Sequence, residues 1–402
     1  MTACCRTGAI AALLMLLSPP ASDAAEEALE PASAPYSVAP ALFDADRPDD
    51  LGLAVAPGTE TSTVFAPRAK GDRFSNGVVL VPFKGRLYAQ WQQSARDEDA
   101  PDTHVAYSRS ADGAHWEAPA SLAPAGREGR MHSSGGWWTD GRTLVAYVNV
   151  WPTGFQSGDG GFTEYRLSTD GEHWSPPRRI TDDEGRPLEG IIEQDPHGIG
   201  DGRTVTAFHL RPGMFVAPHY TDDPLAISGW VRGRMQRLPA EGRASRELEP
   251  SLFLRDGRDG ARCVVMVFRD QASSFRQLAA ESCDRGRSWT TPAITGMPDS
   301  RAKQSAGNLP DGSAFLVNAP NAGKRRVPLA ITLSDDGHRF DRAFLLRGGD
   351  DLQPLRFEGR YKRPGYHYPK SVVWRGHLYV GYATNKEDVQ VTRVPLAALA
   401  RP

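Results

Sequence analysis

The sequence predicts an all-β fold: a six-bladed β-propeller of four-stranded antiparallel blades. Two repeats predict it. The first is a turn of the form Ser-x-Asp-(x)-Gly-x-x-Trp. It occurs as Ser110-Ala-Asp112-Gly113-Ala-His-Trp116, Ser168-Thr-Asp170-Gly171-Glu-His-Trp174 and Ser282-Cys-Asp284-Arg-Gly286-Arg-Ser-Trp289, then with Phe as Ser334-Asp-Asp336-Gly337-His-Arg-Phe340. The aspartates lie 58, 114 and 52 residues apart, so one unit is hidden in the doubled interval. Thr221-Asp222-Asp223, followed by Trp230, stands there as an altered copy. In each copy a short Asp accepts turn amides, Gly supplies a positive φ, Ser caps the turn and the ring packs beneath it.

The second repeat is a tight hairpin followed by a β-rich apolar run. It recurs at Lys84-Gly85, Asp140-Gly141, Asp201-Gly202, Asp259-Gly260, Asp311-Gly312 and Arg375-Gly376, with glycine spacings of 56, 61, 58, 52 and 64. Six hairpins make six units. Each has strand A, the hairpin, strand B, a longer loop, strand C, the boxed turn and strand D. The last unit tests this count. After Gly376 there is room for strand B and for strand C at 389–394, but not for a full strand D. The run Ser62–Phe65 is the natural donor, closing the ring beside that strand C.

Length, charge and cysteine set the outer bounds. A repeat array of 402 residues can be one domain. Lys+Arg 47 against Asp+Glu 49 leaves a net charge of -2, with no basic excess for nucleic acid. Residues 1–24 have the layout of a cleaved secretory signal, with Arg6, an apolar run from Gly8 to Leu17 too short to span a bilayer, and small residues at 22–24. Export to the periplasm or medium follows, with no stable membrane insertion. Residues 25–58, rich in Ala, Pro, Glu and Asp, read as a flexible arm, and 59–402 as the propeller. The mature chain then keeps Cys263 and Cys283. They fall at the start of strand B and the end of strand C of blade four, opposed across an antiparallel pair, which predicts a disulfide; two free buried thiols are the alternative.

Topology sorts the loops. A–B hairpins and boxed C–D turns lie on one face of the disc. The longer B–C and D–A loops open on the other and carry the clustered charge, so the site belongs there. Blade one brings Arg73, Asp97, Glu98, Asp99 and Asp102. Blade two brings Arg130 and His132, and blade three Glu193, Asp195 and His197. Blade four adds Glu249 and Arg269. Blade five adds Arg301, Lys303, Arg325 and Arg326, and blade six Arg363, Tyr366, His367 and Tyr368. Many cations and a few carboxylates at one mouth suit an anionic sugar held by guanidinium forks. No His/Asp spacing singles out a metal, and no cofactor is expected.

The boxed turn is the Asp-box of sialidases, and from about residue 60 onward the chain resembles that superfamily. The box itself is structural. The resemblance implies an exo-glycosidase that cleaves a terminal sialic-acid-like sugar with a tyrosine nucleophile and retention of configuration. It places the nucleophile at Tyr368, its carboxylate partner at Glu249, and the general acid at Asp99. A carboxylate clamp would fall at Arg73, Arg269 and Arg326, with Arg325 the alternative to the last. The neighbours of Arg73 depart from the family's Phe-Arg-Ile-Pro pattern. That departure and the run Tyr366-His367-Tyr368 leave open a lyase or glycosidase for uronate-containing glycans on the same fold, with His or Tyr as base; a glycan-binding propeller without activity is the third reading. The expected partner is an acidic glycan, met by a monomer.

Overall fold

The computed structural model describes residues 33–193, 196–240, 242–257 and 260–401. The expected signal segment, Asp195 and the Asp259 hairpin position lie outside them. Six antiparallel sheets form the six blades. Blade one runs Phe74–Phe83, Arg86–Ser94, His104–Ser110 and Ala120–Ala123 as strands A to D. Blade four runs Glu247–Asp256, Arg262–Asp270, Arg276–Ser282 and Ala293–Pro298. Blade three departs slightly, since its strand A is split into Gly190–Ile192 and His197–Gly198, both paired with strand B at Thr204–Leu210. Helix is confined, among the described residues, to a short turn at Phe155–Ser157 and one turn at Leu396–Leu399. None of the described helices is long and apolar enough to cross a membrane.

The ring closes as the sequence predicts. Blade six supplies Tyr366–Trp374, His377–Thr384 and Asp388–Pro395 as strands A to C. Glu60–Phe65 pairs antiparallel with Asp388–Pro395 as strand D, with Ser62 opposite Val391. The hairpins take the geometry their sequences require. Lys84–Gly85 and Arg375–Gly376 both have positive φ at two successive residues, the combination that matches strand twist.

The boxes form the turns their residues dictate. Asp112 Oδ1 accepts the amides of Ala114 and His115 at 2.9 and 2.8 Å, and Ser110 Oγ accepts the Gly113 amide at 2.8 Å. The altered copy in blade three does the same work over a longer turn. Thr221 replaces Ser, Asp223 accepts the Leu225, Ile227 and Ser228 amides, and the Trp230 ring is buried beneath. Each box also locks its blade to the preceding one. A Cβ on Gly171 would lie 2.1 Å from the Tyr88 hydroxyl of blade one, and its φ is +77°. The closing rings are not equivalent. Phe340 is fully buried and Trp289 nearly so, whereas Trp116 is only partly buried.

The segment from residue 33 to 58 is not a flexible arm. Ser37–Val38 pairs parallel with Arg339–Phe340 of the blade-five box. Tyr36 packs its ring on Phe340 and Phe253 at 5.1 and 6.1 Å, and its hydroxyl donates to Gln277 at 2.9 Å. Polar composition masked a few apolar anchors, Tyr36, Leu51 and Ala56, each buried. The Cys263–Cys283 disulfide is present, with Cα atoms 4.1 Å apart, as opposed positions on strands B and C require.

Two stability outcomes follow. Phe340→Ala should cost roughly 3–5 kcal/mol, the cost of emptying a filled aromatic site, while Trp116→Ala should cost clearly less because its ring is only partly buried. Gly171→Ala should cost on the order of 2–4 kcal/mol, combining left-handed strain with overpacking against Tyr88. Urea denaturation of the three variants measures both. Equal losses for Phe340→Ala and Trp116→Ala would contradict the burial argument.

Candidate active site

The charged residues of the B–C and D–A loops converge on a cavity of about 410 Å³ at the centre of the face opposite the boxes. Its floor depends on a backbone device repeated in several blades. The pairing of strands A and B is interrupted between Asn76 and Val79, between Leu248 and Ser251, and between His367 and Lys370. At each interruption one residue takes a positive φ: Gly77 at 66°, Glu249 at 55° and Tyr368 at 55°. Such bulges re-aim a side chain, and for a non-glycine residue the conformation is strained and must be held by its surroundings. Glu249 is held from both flanking blades. Its carbonyl accepts Gln304 Nε2 at 2.9 Å, and its amide donates to His209 Nε2 at 3.4 Å.

Arg269, the penultimate residue of strand B in blade four, joins the two bulge side chains. Its Nη1 donates to both carboxylate oxygens of Glu249 at 3.1 Å and to the Tyr368 hydroxyl at 3.4 Å. Its Nη2 donates to Gln271 at 2.7 Å. Tyr368 and Glu249 are thus linked through one guanidinium nitrogen, and no hydrogen bond joins them directly. Three further cations surround the phenol ring, with Lys303 Nζ and the Arg326 guanidinium each 5.2 Å from its centre and Lys386 Nζ at 6.0 Å.

The charges settle from their surroundings. Burial would raise the Glu249 carboxyl, but the charges of Arg269 and Lys303 bring it below the ordinary carboxylate range, so it is ionised. Burial and the Glu249 charge push the Tyr368 phenol well above its usual range, beyond what Arg269 and Arg326 offset, so at rest it keeps its proton. Glu193, beside them, is held low against its burial by Lys303 at 2.6 Å and by His209 at 2.9 Å.

Arg326 is 3% exposed, and its Nη1 donates to His367 Nδ1 at 2.7 Å. The opposite ring nitrogen of His367 donates to the Arg363 carbonyl at 2.9 Å, which fixes the tautomer. Burial and the neighbouring Arg326 keep this histidine neutral. Arg325 points away. It binds the Pro48 carbonyl at 3.0 Å and pairs with Asp49, so of the two arginines Arg326 reaches the cavity.

At the rim, the four acids of the blade-one loop separate by their partners. Asp97 accepts the Arg360 amide, Asp102 accepts the Ala95 amide, and Glu98 pairs with Lys386 and accepts Asn76 Nδ2 at 3.1 Å. Asp99 carries no hydrogen bond to a described residue and faces the cavity. Burial first, then the charge of Glu98, pushes its carboxyl up to about 7, against an opposing pull from Lys386.

Residues 85–380 match the BNR repeat-like domain family. The chain belongs to that family. Among solved structures, a sialidase superposes with a TM-score of 0.57 at 19% identity over 90% of this chain, which spans 35% of that protein's length. A Hadza microbial sialidase gives 0.61 at 16% identity, covering 81% of this chain and 66% of the other. The intramolecular trans-sialidase from Ruminococcus gnavus, solved with oseltamivir carboxylate, gives 0.59 at 13% identity over 85% and 99%. No curated protein matches the chain by sequence. At these identities the likeness to the solved structures is one of fold.

Within this BNR propeller, five of the six residues singled out by resemblance line the cavity: Tyr368, Glu249, Asp99, Arg269 and Arg326. Arg73 does not. It lies before strand A, and its Nε donates to the Ala95 carbonyl at 3.0 Å. The bulge position of blade one is Gly77, preceded by Asn76, so no guanidinium enters from that blade. A third arginine comes instead from Arg363, ahead of blade six. His132 binds the Pro124 carbonyl and Tyr366 the Gly348 carbonyl; neither these two nor His197, Arg130 and Arg301 line the cavity. Lys386 and His209 escaped the sequence reading. His209 was findable, since it is the penultimate residue of strand B in blade three as Arg269 is in blade four. The apolar wall of Met131, Trp151, Ile191 and Met214 was not, because its residues read as ordinary core.

Replacing Arg269 by Met should leave Glu249 as a buried, poorly paired charge. A loss of roughly 3–5 kcal/mol is expected, measured by urea denaturation. Adding Glu249→Gln to that variant should recover part of the loss; no recovery would show that the pair is not the source.

Proposed function

We propose that this chain is an exported exo-glycosidase of sialidase type, acting on a terminal acidic sugar by retaining hydrolysis with Tyr368 as nucleophile. One observation carries the reading. A buried phenol and an ionised carboxylate share a single nitrogen of Arg269 on the floor of a cavity whose lining is richer in cations than in ionised acids. Five cations line it, Arg269, Lys303, Arg326, Arg363 and Lys386, against Glu98, Glu193, Glu249 and the raised Asp99. Arg269 and Arg326 also bury Nε atoms that have no partner. An anionic substrate group supplies the missing negative charge, and the facing apolar wall suits a less polar part of the same sugar. The apolar run at Gly8–Leu17 and the Cys263–Cys283 disulfide support export.

The Tyr368 oxygen attacks the anomeric carbon while its proton passes to Glu249, which must move from Arg269 towards the phenol. The glycosidic C–O bond breaks, and Asp99 gives its proton to the leaving oxygen. A water then enters, loses a proton to Asp99 and displaces Tyr368, which recovers its own proton from Glu249. A neutral phenol avoids setting a carboxylate nucleophile against an anionic sugar. Arg269, Arg326 and Arg363 hold the substrate anion.

The lack of a direct Tyr368–Glu249 bond favours one rival, elimination from a uronate-containing glycan. Product mass separates the two, because elimination gives an unsaturated product lighter by one water. Sialosides and uronate-capped oligosaccharides should both be screened, and hydrolysis of neither would end the glycosidase reading.

With an activated fluorinated acidic sugar, the wild type should gain one glycosyl unit on the peptide carrying Tyr368, and Tyr368→Phe should gain none while keeping its fold. Asp99→Ala should slow alkyl glycosides far more than activated aryl glycosides, which need little protonation. The acid must be protonated, so kcat/KM should fall as pH rises through about 7, the value to which Asp99 is pushed. Glu249 must be ionised, so activity should also fall well below the ordinary carboxylate range. Persistence of the alkaline limb in Asp99→Asn would remove Asp99 from the role.

A further inference from the structure

The rim of the cavity holds a second buried ion pair that the chemistry above does not use. Lys386 follows strand B of blade six, at a positive φ of 56°, and its side chain is 2% exposed. Its Nζ pairs with Glu98 Oε2, on the B–C loop of blade one, whose side chain is 12% exposed. The pair is fixed at both ends. The Lys386 carbonyl accepts the Ser75 amide of strand A at 2.9 Å. Glu98 Oε1 accepts Asn76 Nδ2 at 3.1 Å, and the Glu98 amide donates to the Arg360 carbonyl at 3.3 Å. Asn76 stands beside the blade-one bulge, three residues after the Arg73 that the sialidase resemblance marks as substrate-binding, and it braces a carboxylate. Asp99 is the next residue after Glu98 and itself has a positive φ of 57°.

We propose that the buried Lys386–Glu98 pair, braced by Asn76, is the positioning device of the acid: it anchors Asp99 at the cavity rim and sets the pH range over which Asp99 carries its proton. The inference rests on the reading of Asp99 as the general acid. Its physical basis is that one ion pair spans blades six and one across the loop that bears Asp99, with its two charges acting on Asp99 in opposite directions. The negative end is adjacent in sequence and opposes ionisation. The positive end favours ionisation. Arg363 and Tyr361, of the loop before blade six, line the same cavity as Asp99. Asp97 and Asp102 of its own loop are turned to the backbone amides of Arg360 and Ala95. Burial is the first cause of the raised Asp99 carboxyl; of the two charges, Glu98, which opposes ionisation, outweighs Lys386, which favours it.

The test needs no substrate. Carbon-detected carboxyl titration of the full chain follows Asp99, with Asp99→Asn assigning the resonance. Glu98→Gln removes the negative end and should shift the Asp99 midpoint down by about one pH unit or more. Lys386→Met removes the positive end and should shift it up by a similar amount. Lys386→Arg restores the charge and should return the midpoint towards wild type. It also serves where the methionine variant does not fold. Opposite shifts with recovery support the proposal. Shifts in one direction only, or an unchanged midpoint in Glu98→Gln, overturn it. The alkaline limb of kcat/KM should move with the titration in each variant. If the wild type acts on no acidic glycoside while the opposite shifts are present, the glycosidase reading fails and the electrostatic device stands. If the wild type is active and the midpoints do not move, only this inference fails.

Discussion

Everything in the site depends on where the ring closes. Glu60–Phe65 pairs with Asp388–Pro395 and completes blade six, which fixes that blade against blade one. The cavity stands across this seam. Tyr368, Arg363 and Lys386 come from blade six and its flanks, and Asn76, Glu98 and Asp99 come from blade one. Blade six is assembled from both ends of the propeller chain, so a loss of strand D would disturb Tyr368 and Asp99 together, although strand D contributes no residue to the cavity. The contact is a ladder of backbone hydrogen bonds backed by the buried cluster of Val64, Val389, Val391 and Tyr379.

Within that frame the site is a problem in charge balance. Guanidinium and ammonium groups are crowded round one buried phenol, and each of the central ones is paired or braced: Arg269 by Glu249, Lys303 by Glu193, Lys386 by Glu98, and Arg326 by the neutral His367. Buried pairs of this kind offset much of their own desolvation and add little net stability. Their consequence is geometric. They hold long side chains in fixed places around the cavity. Asp99 is the exception, a carboxyl with no hydrogen bond to a described residue, and burial first, then the charge of Glu98, raises its pKa.

The repeat fold was legible because its signals are local. A boxed turn needs Ser, Asp, Gly and an aromatic within eight residues, and a tight hairpin needs two residues of positive φ. Both leave their marks in consecutive positions and recur with the blade. The disulfide was legible for the same reason, since strand register is local once the hairpin is placed. The segment from residue 33 to 58 was misread because its few anchors, Tyr36 above all, find partners some 200 to 300 residues away, on Phe253 and Phe340. Composition over a window is blind to such contacts.

The sequence by itself determined the number of blades, the mode of closure, the face on which charge collects and most of the charged residues that gather there, because each follows from spacing and turn chemistry. Tertiary structure alone decided which charges meet. Arg73 lies three residues before Asn76, yet only Asn76 reaches the cavity, because the bulge that turns the chain inward falls at Gly77. Arg326 enters and Arg325 does not, because the first finds a buried histidine and the second finds Asp49 on the surface. Asp99 was one of four adjacent acids until the fold gave the other three partners. Side-chain direction at a bulge and competition for hydrogen-bond partners are set by neighbouring blades, and no spacing along a single chain encodes them.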